Sequence, residues 1–331
     1  MDLFMSCDWG TSNFRLRVVD SERLTVLEEV RADLGISVAF QQWQESSHEE
    51  GARLPFYQSI LLGQIQRLSS RSALASQGLP LIISGMASSS LGMVELPYAE
   101  LPLGINGHGL HKMMLPASDR FPHAIVLVSG VKTADDVMRG EETQLIGCLS
   151  DPQEGIGTLS GRPADEGIYI FPGTHCKHVW VKDNKIIGFR TYMTGEFFHL
   201  LSQKSILKGA VKAIASPQEQ NYRESFEKGV EASVEAGSLL HSSFLVRTNY
   251  LFGRWSGEAN YAYLSGLLIG EELKGLAGTQ LPVTIVGSGA QTAYYKSACN
   301  VLNITIKDIL DADEALIRGH FTLYDLYSTG A

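Results

Sequence analysis

The segment from Asp136 to Gln144 places Arg139, a glycine and two adjacent carboxylates where a loop runs into a predicted helix. The apolar residues that follow predict that this helix covers Val137 to Leu149. Either Glu141 or Glu142 could orient or deprotonate a substrate hydroxyl, as one carboxylate does in phosphoryl transfer. Acidic residues also favour the first turn of a helix, so either one could equally serve as a helix cap. The segment therefore predicts catalytic chemistry without deciding which glutamate supplies it.

Three further polar turns lie beside apolar strands and contain glycine and small hydroxyl side chains. They are Asp8-Trp9-Gly10-Thr11-Ser12-Asn13, Pro172-Gly173-Thr174-His175-Cys176-Lys177 and Val286-Gly287-Ser288-Gly289. Tight turns with exposed N–H groups can cradle phosphate oxygens, and a helix N-terminus can bind an anion. Asp8, at the end of a strand, could hold Mg²⁺ directly or through water. Each turn alone also fits an ordinary polar connection, but four such segments together predict a nucleotide-dependent phosphotransfer site.

Four side chains near these segments each allow two interpretations. Lys177 reaches the phosphate site or faces solvent, because strand alternation places it on the same face as His175. A histidine such as His175 is more often a hydrogen-bonded structural residue than a ligand or base. Arg139 and Arg190 could grip a carboxylate bidentately or bind a phosphate. For either arginine alone, a structural salt bridge is the better explanation.

The elements that must position these turns form two β-meanders. The first comprises strands predicted at Leu3 to Cys7, from Phe14 onwards and at Leu24 to Arg31, because apolar residues alternate there. The second repeats the pattern at Gly167 to Phe171, Cys176 to Val181 and Lys185 to Thr191. Each meander has a Gly-Thr turn between its first two strands. The two halves thus indicate a weak internal duplication.

The remaining pattern alternates buried strands with helices. Apolar runs predict strands at Leu79 to Ser84, His123 to Val128, Pro282 to Val286 and Ile304 to Ile306. Helical periodicity predicts helices at Pro55 to Leu68, Gln218 to Leu240, Tyr261 to Leu276, Ala290 to Leu302 and Asp311 to Tyr324. Residues 41–53 are polar and fit a loop or a helix edge, and residues 151–165 fit a surface insertion.

Composition limits the class of protein. A chain of 331 residues favours two domains, and 44% apolar with 19% charged residues is usual for a globular enzyme. The net charge of −9 argues against nonspecific binding to nucleic acid or an anionic membrane. No apolar stretch approaches the roughly 20 residues of a membrane span, and the N-terminus has no signal-peptide pattern. The four cysteines lie far apart, so the sequence predicts a cytoplasmic protein without disulfides or zinc.

The paired meanders and the late strand–glycine–helix segment resemble the actin/Hsp70/hexokinase ATPase superfamily. Within it, several runs resemble the 2-dehydro-3-deoxygalactonokinase family. They are Asp-Val-Met-Arg-Gly-Glu-Glu-Thr-Gln-Leu-Ile-Gly (136 to 147), Pro-Gly-Thr-His-Cys-Lys (172 to 177), Phe-Arg-Thr-Tyr-Met-Thr-Gly-Glu (189 to 196), Leu264 to Gly270 and Ser84-Gly85-Met86. The resemblance extends over nearly the whole chain.

The resemblance implies an α/β protein with two ribonuclease-H-like domains, each a mixed β-sheet flanked by helices, and a cleft between them. The domains are expected at residues 1–133 and 134–331. The implied reaction is ATP-dependent phosphorylation of the C6 hydroxyl of 2-dehydro-3-deoxy-D-galactonate, a small sugar acid of D-galactonate breakdown. The sequence leaves homo-oligomerisation open.

The resemblance also implies a role for each candidate residue. ATP would be bound by Gly10, Thr11 and Ser12, by Gly173, Thr174 and Lys177, and by Gly287, Ser288 and Gly289 on the adenosine side, with Asp8 on Mg²⁺. The sugar acid would contact Met86, Ser88, Ser89 and Arg190, with Arg139 a second candidate for its carboxylate, and Glu141 or Glu142 would act as base.

Some features depart from the family pattern and keep other functions open. Val128-Ser129-Gly130-Val131 replaces a more usual Pro-Gly turn, and residues 41–53 and 151–165 look like insertions. One alternative is a kinase or phosphohydrolase of the same superfamily acting on another sugar acid or on polyphosphate, although the chain has no Lys/Arg run for a polyanion. Another is a non-catalytic nucleotide-binding switch, which would not need the glutamate pair.

Overall fold

The structure, a computed structural model, describes residues 3–46, 50–70, 78–150, 166–214, 220–235 and 237–328. The insertion predicted at residues 151–165 lies outside these ranges, as do residues 47–49 of the predicted polar stretch at 41–53. No helix within the described ranges is long and apolar enough to cross a membrane.

Among the described residues, most strands precede Thr194 and most helices follow it. The strands are β1 Leu3–Trp9, β2 Phe14–Asp20, β3 Thr25–Ala32, β4 Leu81–Gly85, β5 Ala99–Glu100, β6 Leu103–Gly104, β7 Lys112–Leu115, β8 Ile125–Val128, β9 Val131–Lys132, β10 Val137–Met138, β11 Gly167–Phe171, β12 Cys176–Lys182, β13 Lys185–Tyr192, β14 Val283–Val286 and β15 Ile306–Leu310. The helices are α1 Ile36–Ser46, α2 Arg53–Ser69, α3 Glu141–Leu149, α4 Thr194–Lys204, α5 Gln220–Glu235, α6 Leu239–Leu251, α7 Gly257–Leu273, α8 Gly289–Val301 and α9 Ala312–Ser328.

The described residues group into two compact units. The first contains those within Met1–Ala164, Asp183–Gly188 and Asp313–Ala331, and the second those within Asp165–Lys182 and Phe189–Ala312. These units differ from the boundary predicted after residue 133. The difference arises because α3 and α9, both beyond that boundary, pack on each other within the first unit.

In the first unit, a six-stranded sheet has the order β3-β2-β1-β4-β8-β7. The three-strand meander is antiparallel, whereas β4 runs parallel to β1 and β8 runs parallel to β4. Apolar side chains of both faces are buried in β1, β4 and β8, as expected for central strands. Because β1 and β4 are parallel, Asp8 pairs with Ser84 and Trp9 with Gly85, which brings the ends of these strands together.

Aromatic side chains fill the core between this sheet and α2. Trp9, Phe14 and Tyr57 are fully buried, and the Trp9 ring makes edge contacts with the other two. The indole N–H of Trp9 donates to the carbonyl of Leu34 at 2.9 Å, so its polar atom is satisfied. The core therefore fixes β1 up to its last residue, Trp9, directly before Gly10.

Helix α9 completes the first unit by close backbone packing against α3. A Cβ on Gly147 would lie 1.8 Å from the carbonyl oxygen of Ala315, and one on Gly319 would lie 2.0 Å from that of Thr143. Glycine is therefore required at both positions. The ring of His320 in α9 joins the buried hydroxyls of β1 and β4 by hydrogen bonds, to Ser6 at 2.8 Å and to Ser84 at 2.9 Å.

Helix α3 begins later than the sequence predicted. Val137 and Met138 form strand β10 against β9 instead of the first helical turn. The reason is Gly140, whose φ of 112° lies outside the helical region. The helix therefore starts at Glu141, which places both glutamates in its first turn.

In the second unit, the sheet has the order β15-β14-β11-β12, followed by the residues of β13 that belong to this unit. Strands β11 and β12 are antiparallel, whereas β11, β14 and β15 are mutually parallel. The order of an antiparallel meander followed by parallel strands repeats that of the first unit. The predicted duplication is thus confirmed as topology.

The helices of the second unit pack on one another and on its sheet, and α7 is its most buried helix. The prediction of one helix from Gln218 to Leu240 was wrong, since α5 ends at Glu235 and α6 begins at Leu239. Gly237 has a φ of 64°, and the Ser238 hydroxyl accepts from the N–H of His241 as an N-cap. These two residues end one helix and start the next.

Candidate functional site

The first polar turn joins β1 to β2 and rests on the start of α1. The N–H of Gly10 donates to the carbonyl of Asn13 at 2.9 Å, which closes the turn. The carbonyls of Gly10 and Thr11 accept from the first N–H groups of α1 at 2.9 and 3.2 Å. The side chains of Thr11 and Ser12 are exposed. The turn is therefore held by its carbonyls, which leaves its hydroxyl groups available to a ligand.

Asp8 lies just before this turn, at the carboxyl end of β1. Burial raises the pKa of Asp8, an effect that the nearby Arg15 and Arg17 partly oppose. A bound cation would stabilise the charged carboxylate in the same way. Among the described residues, no group of three or more acidic, histidine or cysteine side chains could hold a metal ion. Any metal at Asp8 would therefore need ligand phosphates and water for its remaining positions.

The two glutamates at the start of α3 occupy different environments. Glu142 is fully buried, and both of its carboxylate oxygens accept the N–H of Gly140, at 2.9 and 2.8 Å. The hydroxyl of Thr143 donates to the same carboxylate at 3.1 Å. Burial, reinforced by the neighbouring charge of Glu141, raises the pKa of Glu142 to about 7. Glu142 thus caps the backbone at the start of the helix.

Glu141 is only partly buried and lies on the side of the first turn. Its carboxylate accepts the N–H of Arg139 at 3.2 Å. Its charge contributes to the raised pKa of Asp8. The backbone agrees, since a Cβ on Gly140 would lie 3.6 Å from Cα of Gly85, and one on Gly85 would lie 3.6 Å from Oδ1 of Asp8. The structure therefore brings the charged segment and the first turn together.

Arg139 is held firmly beside this cluster. Its guanidinium donates to Ser88 Oγ at 2.6 Å and to the carbonyl of Leu96 at 3.3 Å, and it lies 4.1 Å from the ring centroid of Tyr98. Ser88 is fully buried and itself donates to the carbonyl of Val128 at 2.6 Å. Both groups of Ser88 that can bond are therefore engaged within the protein.

The loop after β4 was predicted to bind substrate through Met86, Ser88 and Ser89. The hydroxyl of Ser89 donates to the carbonyl of Met86 at 2.8 Å and accepts the N–H of Leu91 at 3.2 Å. The side chain of Met86 packs against the hydrophobic core. These three side chains thus build the loop, and Ser90 is the exposed hydroxyl in it.

In the second unit, the other two turns lie side by side. Gly173 and Thr174 follow β11, and Gly287 follows β14, the strand that is parallel to β11. A Cβ on Gly287 would lie 3.5 Å from the ring of Pro172. Ser288 and Gly289 are exposed at the start of α8. Both turns therefore sit at the carboxyl edge of one sheet, where ligands of open α/β folds bind.

The charged residues of the second unit are in three different settings. Lys177 is buried on β12, and its ammonium donates to the carbonyl of His175 at 3.2 Å. His175 pairs with Glu196 at 2.5 Å on a half-exposed surface. Arg190 is exposed, with its guanidinium 5.8 Å from the ring centroid of Trp180. Lys177 and His175 follow the Gly173–Thr174 turn directly in the chain.

A pocket opens beside these turns, and Gly173 is the one residue of its lining that the sequence analysis named as a site residue. It is bordered by Gly173, Thr194, Gly195, Phe198, Tyr261, Ser265, Leu268, Ile269, Gln291, Tyr294 and Tyr295. Gln291, Tyr294 and Tyr295 lie in the first turns of α8, directly after the Gly-Ser-Gly turn. Aromatic residues in a helix ordinarily indicate core, which is why these were missed. Their position just after that turn was the signal that could have identified them.

Comparison with known proteins gives the class first. The crystal structure of a Sinorhizobium meliloti protein that carries the name of a 2-dehydro-3-deoxygalactonokinase matches with a TM-score of 0.77 and 30% identity, over 98% of this chain and 96% of that one. Component A of (R)-2-hydroxyglutaryl-CoA dehydratase from Acidaminococcus fermentans shares the fold alone, with a TM-score of 0.50 and 12% identity over all of both chains. The first of these matches, at 30% identity over nearly all of both chains, gives the class, a kinase.

The family follows from the sequence relatives. The family model described as 2-keto-3-deoxy-galactonokinase matches residues 8–323. A probable 2-dehydro-3-deoxygalactonokinase of Rhizobium meliloti (strain 1021) is 31% identical over 331 residues, 96% of this chain and 94% of the relative. The 2-dehydro-3-deoxygalactonokinase of Escherichia coli (strain K12) is 30% identical over 69% of this chain and 72% of its own. The chain belongs to the 2-keto-3-deoxygalactonokinase family, which confirms the predicted family and the prediction of a kinase.

Proposed function

We propose that the protein transfers the γ-phosphoryl group of ATP to the C6 hydroxyl of 2-dehydro-3-deoxy-D-galactonate, a step of D-galactonate breakdown. The family supplies the substrate. The structural observation that carries the proposal is the pair of glycine turns, Pro172–Thr174 and Gly287–Gly289, side by side after two neighbouring parallel strands. Such paired turns suit a nucleotide because glycine lets the phosphates approach the backbone closely, and the second turn leads directly into the N-terminus of α8.

The nucleotide would lie along the second unit. The Gly173–Thr174 turn would take phosphate oxygens, with the Lys177 ammonium near the same turn. The exposed start of α8 would favour the negative charge of the nucleotide. The adjacent pocket, lined in part by Tyr294 and Gln291, would take the adenosine, since stacking rings and a few polar groups suit a purine nucleoside.

Asp8 fits a role in holding Mg²⁺. It is a carboxylate at a strand end, its pKa is raised by burial, and a cation would relieve that cost. Mg²⁺ binds proteins through one or two carboxylates together with substrate phosphates, which agrees with a single acidic ligand here. When bound, the ion would neutralise charge on the transferred phosphoryl group. Gly10, Thr11 and Ser12 would contact the phosphates from the turn beside it.

Glu141 is our choice for the base, with Glu142 as the cap. Glu141 is accessible and lies on the side of Asp8, whereas both oxygens of Glu142 are engaged by Gly140. In the reaction, Glu141 would take the proton of the C6 hydroxyl as that oxygen bonds to the γ-phosphorus. The bond from the γ-phosphorus to the β–γ bridging oxygen breaks, and ADP leaves with that oxygen.

For the carboxylate of the sugar acid we propose Arg190. Its guanidinium is exposed, whereas that of Arg139 already donates to Ser88 and Leu96. Arg139 would instead hold the loop after β4 in place. We also keep the prediction that Met86, Ser88 and Ser89 belong to the sugar site.

We also keep the predicted cytoplasmic location and the predicted partners, which are a small sugar acid, no nucleic acid and no membrane, with a homo-oligomer left open. Support for the location comes from the cysteines, because Cys7, Cys148, Cys176 and Cys299 are all free thiols. The net charge of −9 supports the absence of a nucleic-acid partner.

A coupled assay of ADP release tests the proposal. Purified protein with ATP and Mg²⁺ should turn over 2-dehydro-3-deoxy-D-galactonate faster than its C4 epimer and other 2-keto-3-deoxy sugar acids. ³¹P NMR of the product should show a phosphate monoester, coupled to the two C6 protons. Turnover of another sugar acid alone would overturn the substrate assignment, and absence of turnover on the whole panel would overturn the function.

A further inference from the structure

Glu272, in the buried helix α7, is the meeting point of three hydrogen-bond donors from three other elements. Its carboxylate accepts from Thr194 Oγ1 at 2.5 Å, from the Tyr295 hydroxyl at 2.7 Å and from His178 Nε2 at 2.9 Å. Its side chain is 1% exposed. Nδ1 of His178 has no hydrogen-bond partner among the described residues, so the neutral tautomer with the proton on Nε2 fits best. Glu272 therefore joins α7 to α4, α8 and β12.

One of these bonds leads to the Gly173–Thr174 turn. The Tyr295 oxygen lies 2.9 Å from Cys176 Sγ, and that sulfur accepts the N–H of Gly173 at 3.4 Å. Burial raises the pKa of Cys176 to about 12 and that of Tyr295 well above its ordinary value, so both groups keep their protons. Because the Tyr295 hydroxyl donates its hydrogen bond to Glu272, the Cys176 thiol donates either to the Tyr295 oxygen or to the carbonyl of Gly173, which lies 3.3 Å from Sγ.

A second bond reaches the same turn from the opposite direction. Thr194 is the first residue of α4, and the next residue, Gly195, packs directly on the turn. A Cβ on Gly195 would lie 2.5 Å from the carbonyl oxygen of Gly173 and 2.9 Å from Cα of Thr174. The N–H of Glu196 donates to the carbonyl of Thr174 at 3.1 Å. The start of α4 is thus a backbone support for the turn.

We infer that Glu272 is a positioning residue for nucleotide binding, which holds the Gly173–Thr174 turn in place through Tyr295 and through Thr194. The inference rests on the proposed function, in which this turn binds the phosphates of ATP. A buried carboxylate is expensive to desolvate and adds little net stability in general. Here it instead fixes two residues, Thr194 and Tyr295, that border the pocket itself. Preorganised donors of this kind favour binding because less freedom is lost when the ligand arrives.

The central experiment compares two tyrosines that are equally buried in the same unit. Tyr295 and Tyr263 are each 3% exposed, but the hydroxyl of Tyr263 bonds only weakly to the carbonyl of Ser242, at 3.4 Å, away from the pocket. Tyr295→Phe should raise the Kd for MgADP, measured by calorimetry, by about five- to tenfold. Tyr263→Phe should leave this Kd within about twofold of wild type.

Two further variants separate positioning from folding. Thr194→Val should weaken MgADP binding, and Thr194→Ser, which keeps the hydroxyl, should restore it. Glu272→Gln should raise the KM for ATP by about tenfold or more, because it replaces a charged acceptor of three donors. The KM for the sugar acid should change little in any of these proteins. Should Glu272→Gln fail to fold, the tyrosine pair and the Thr194 pair still decide.

The outcomes distinguish this inference from the proposed function. Equal Kd values for MgADP in Tyr295→Phe and Tyr263→Phe would overturn the inference, while turnover of the sugar acid by wild type would leave the function standing. If wild type binds MgADP but turns over no sugar acid, the substrate assignment fails and the Kd comparison alone decides the inference. Wild type that binds no nucleotide would overturn both.

Discussion

The two units use one strand arrangement for two kinds of site. In each, an antiparallel meander is followed by parallel strands, and the candidate residues lie where those parallel strands end. The first unit gathers charge there, with Asp8 and Glu141 close enough to affect each other. The second places two glycine turns, the hydroxyls of Thr174 and Ser288 and the exposed start of α8 there. The same geometry thus carries a site suited to proton and cation chemistry and another suited to an anion.

Each unit also buries one carboxylate behind its site, and the partners differ. Glu142 accepts one backbone N–H and one hydroxyl, and its pKa is raised to about 7. Glu272 accepts three side-chain donors from three elements. The first carboxylate orders one helix start, whereas the second ties several elements together. Both sites therefore lie at the ends of parallel strands. The buried side chains next to each site decide what chemistry that strand end can support.

The largest expected effect on activity comes from replacing one of the two glutamates at the start of α3 by glutamine. Glu141→Gln should lower kcat by about 10²- to 10⁴-fold, because the base is lost, while the melting temperature stays near that of wild type. Glu142→Gln is the matched control and should keep kcat within a few-fold. The measurement is steady-state ADP release with both substrates saturating. If Glu142→Gln loses most of its kcat while Glu141→Gln stays active, Glu142 is the base, and the contrast between Glu142 and Glu272 as purely structural carboxylates no longer holds.

The buried carboxylate of the first unit should also leave a signature in stability against pH. The pKa of Glu142 is raised from 4.5 to about 7, so the native state binds a proton that the unfolded chain releases. The stabilisation from this group is complete below pH about 4.5 and is lost as pH rises through about 7, for a total of ~3 kcal/mol. Denaturant titrations at pH 5 and pH 8.5 should show the free energy of unfolding of Glu142→Gln rising relative to wild type. A difference that does not change with pH would contradict the assignment.

In the second unit, the sharpest test of backbone support is Gly195→Ala. The new Cβ would press on backbone atoms of Gly173 and Thr174, which cannot swing aside as a side chain can. The turn must shift, and the KM for ATP should rise by about tenfold. Gly209→Ala is the control, since no described atom lies within 4 Å of a Cβ there. Equal KM values for ATP in both variants would show that this turn does not bind the nucleotide.

The smallest effect is expected at the arginines. Arg190→Gln should raise the KM for the sugar acid by about two- to fivefold with kcat unchanged, the range of an exposed ion pair. Arg139→Gln should instead lower the melting temperature, because it removes the contacts to Ser88 and the Tyr98 ring. If Arg139→Gln raises that KM at an unchanged melting temperature, the carboxylate contact belongs to the first unit.

The turns and the charged segment could be predicted because their residues are unusual where they stand. A strand that ends in Asp-Trp-Gly-Thr-Ser, or in Pro-Gly-Thr-His, has polar and small residues where a packed hairpin would not need them. The antiparallel meander of each sheet followed from the same alternation, whereas the mixed character of the sheets was implied by the family resemblance. These signals are local, and a single sequence contains them.

What could not be predicted depends on distant contacts. Glu141 and Glu142 follow the same glycine, and only the φ of 112° at Gly140 turns one inward and leaves the other partly exposed. Residues 41–53 were expected to form a loop or a helix edge because they are polar, yet residues 41–46 are the second half of α1, whose start is fixed by carbonyls of the first turn. Glu272 and Tyr295 are 23 residues apart in the sequence, and their contact depends on how α7 and α8 pack.

The assignment of α9 to the first unit has a consequence for synthesis. The second unit lies between two segments of the first in the chain, so the ribosome completes it before α9 emerges. Until then α3 lacks the glycine-lined surface of α9, and the buried hydroxyls of Ser6 and Ser84 lack the ring of His320. The nascent first unit therefore lacks the packing partner of α3 until α9 has been made. We expect a chaperone that recognises apolar segments to engage this part of the nascent chain longer than it engages the second unit.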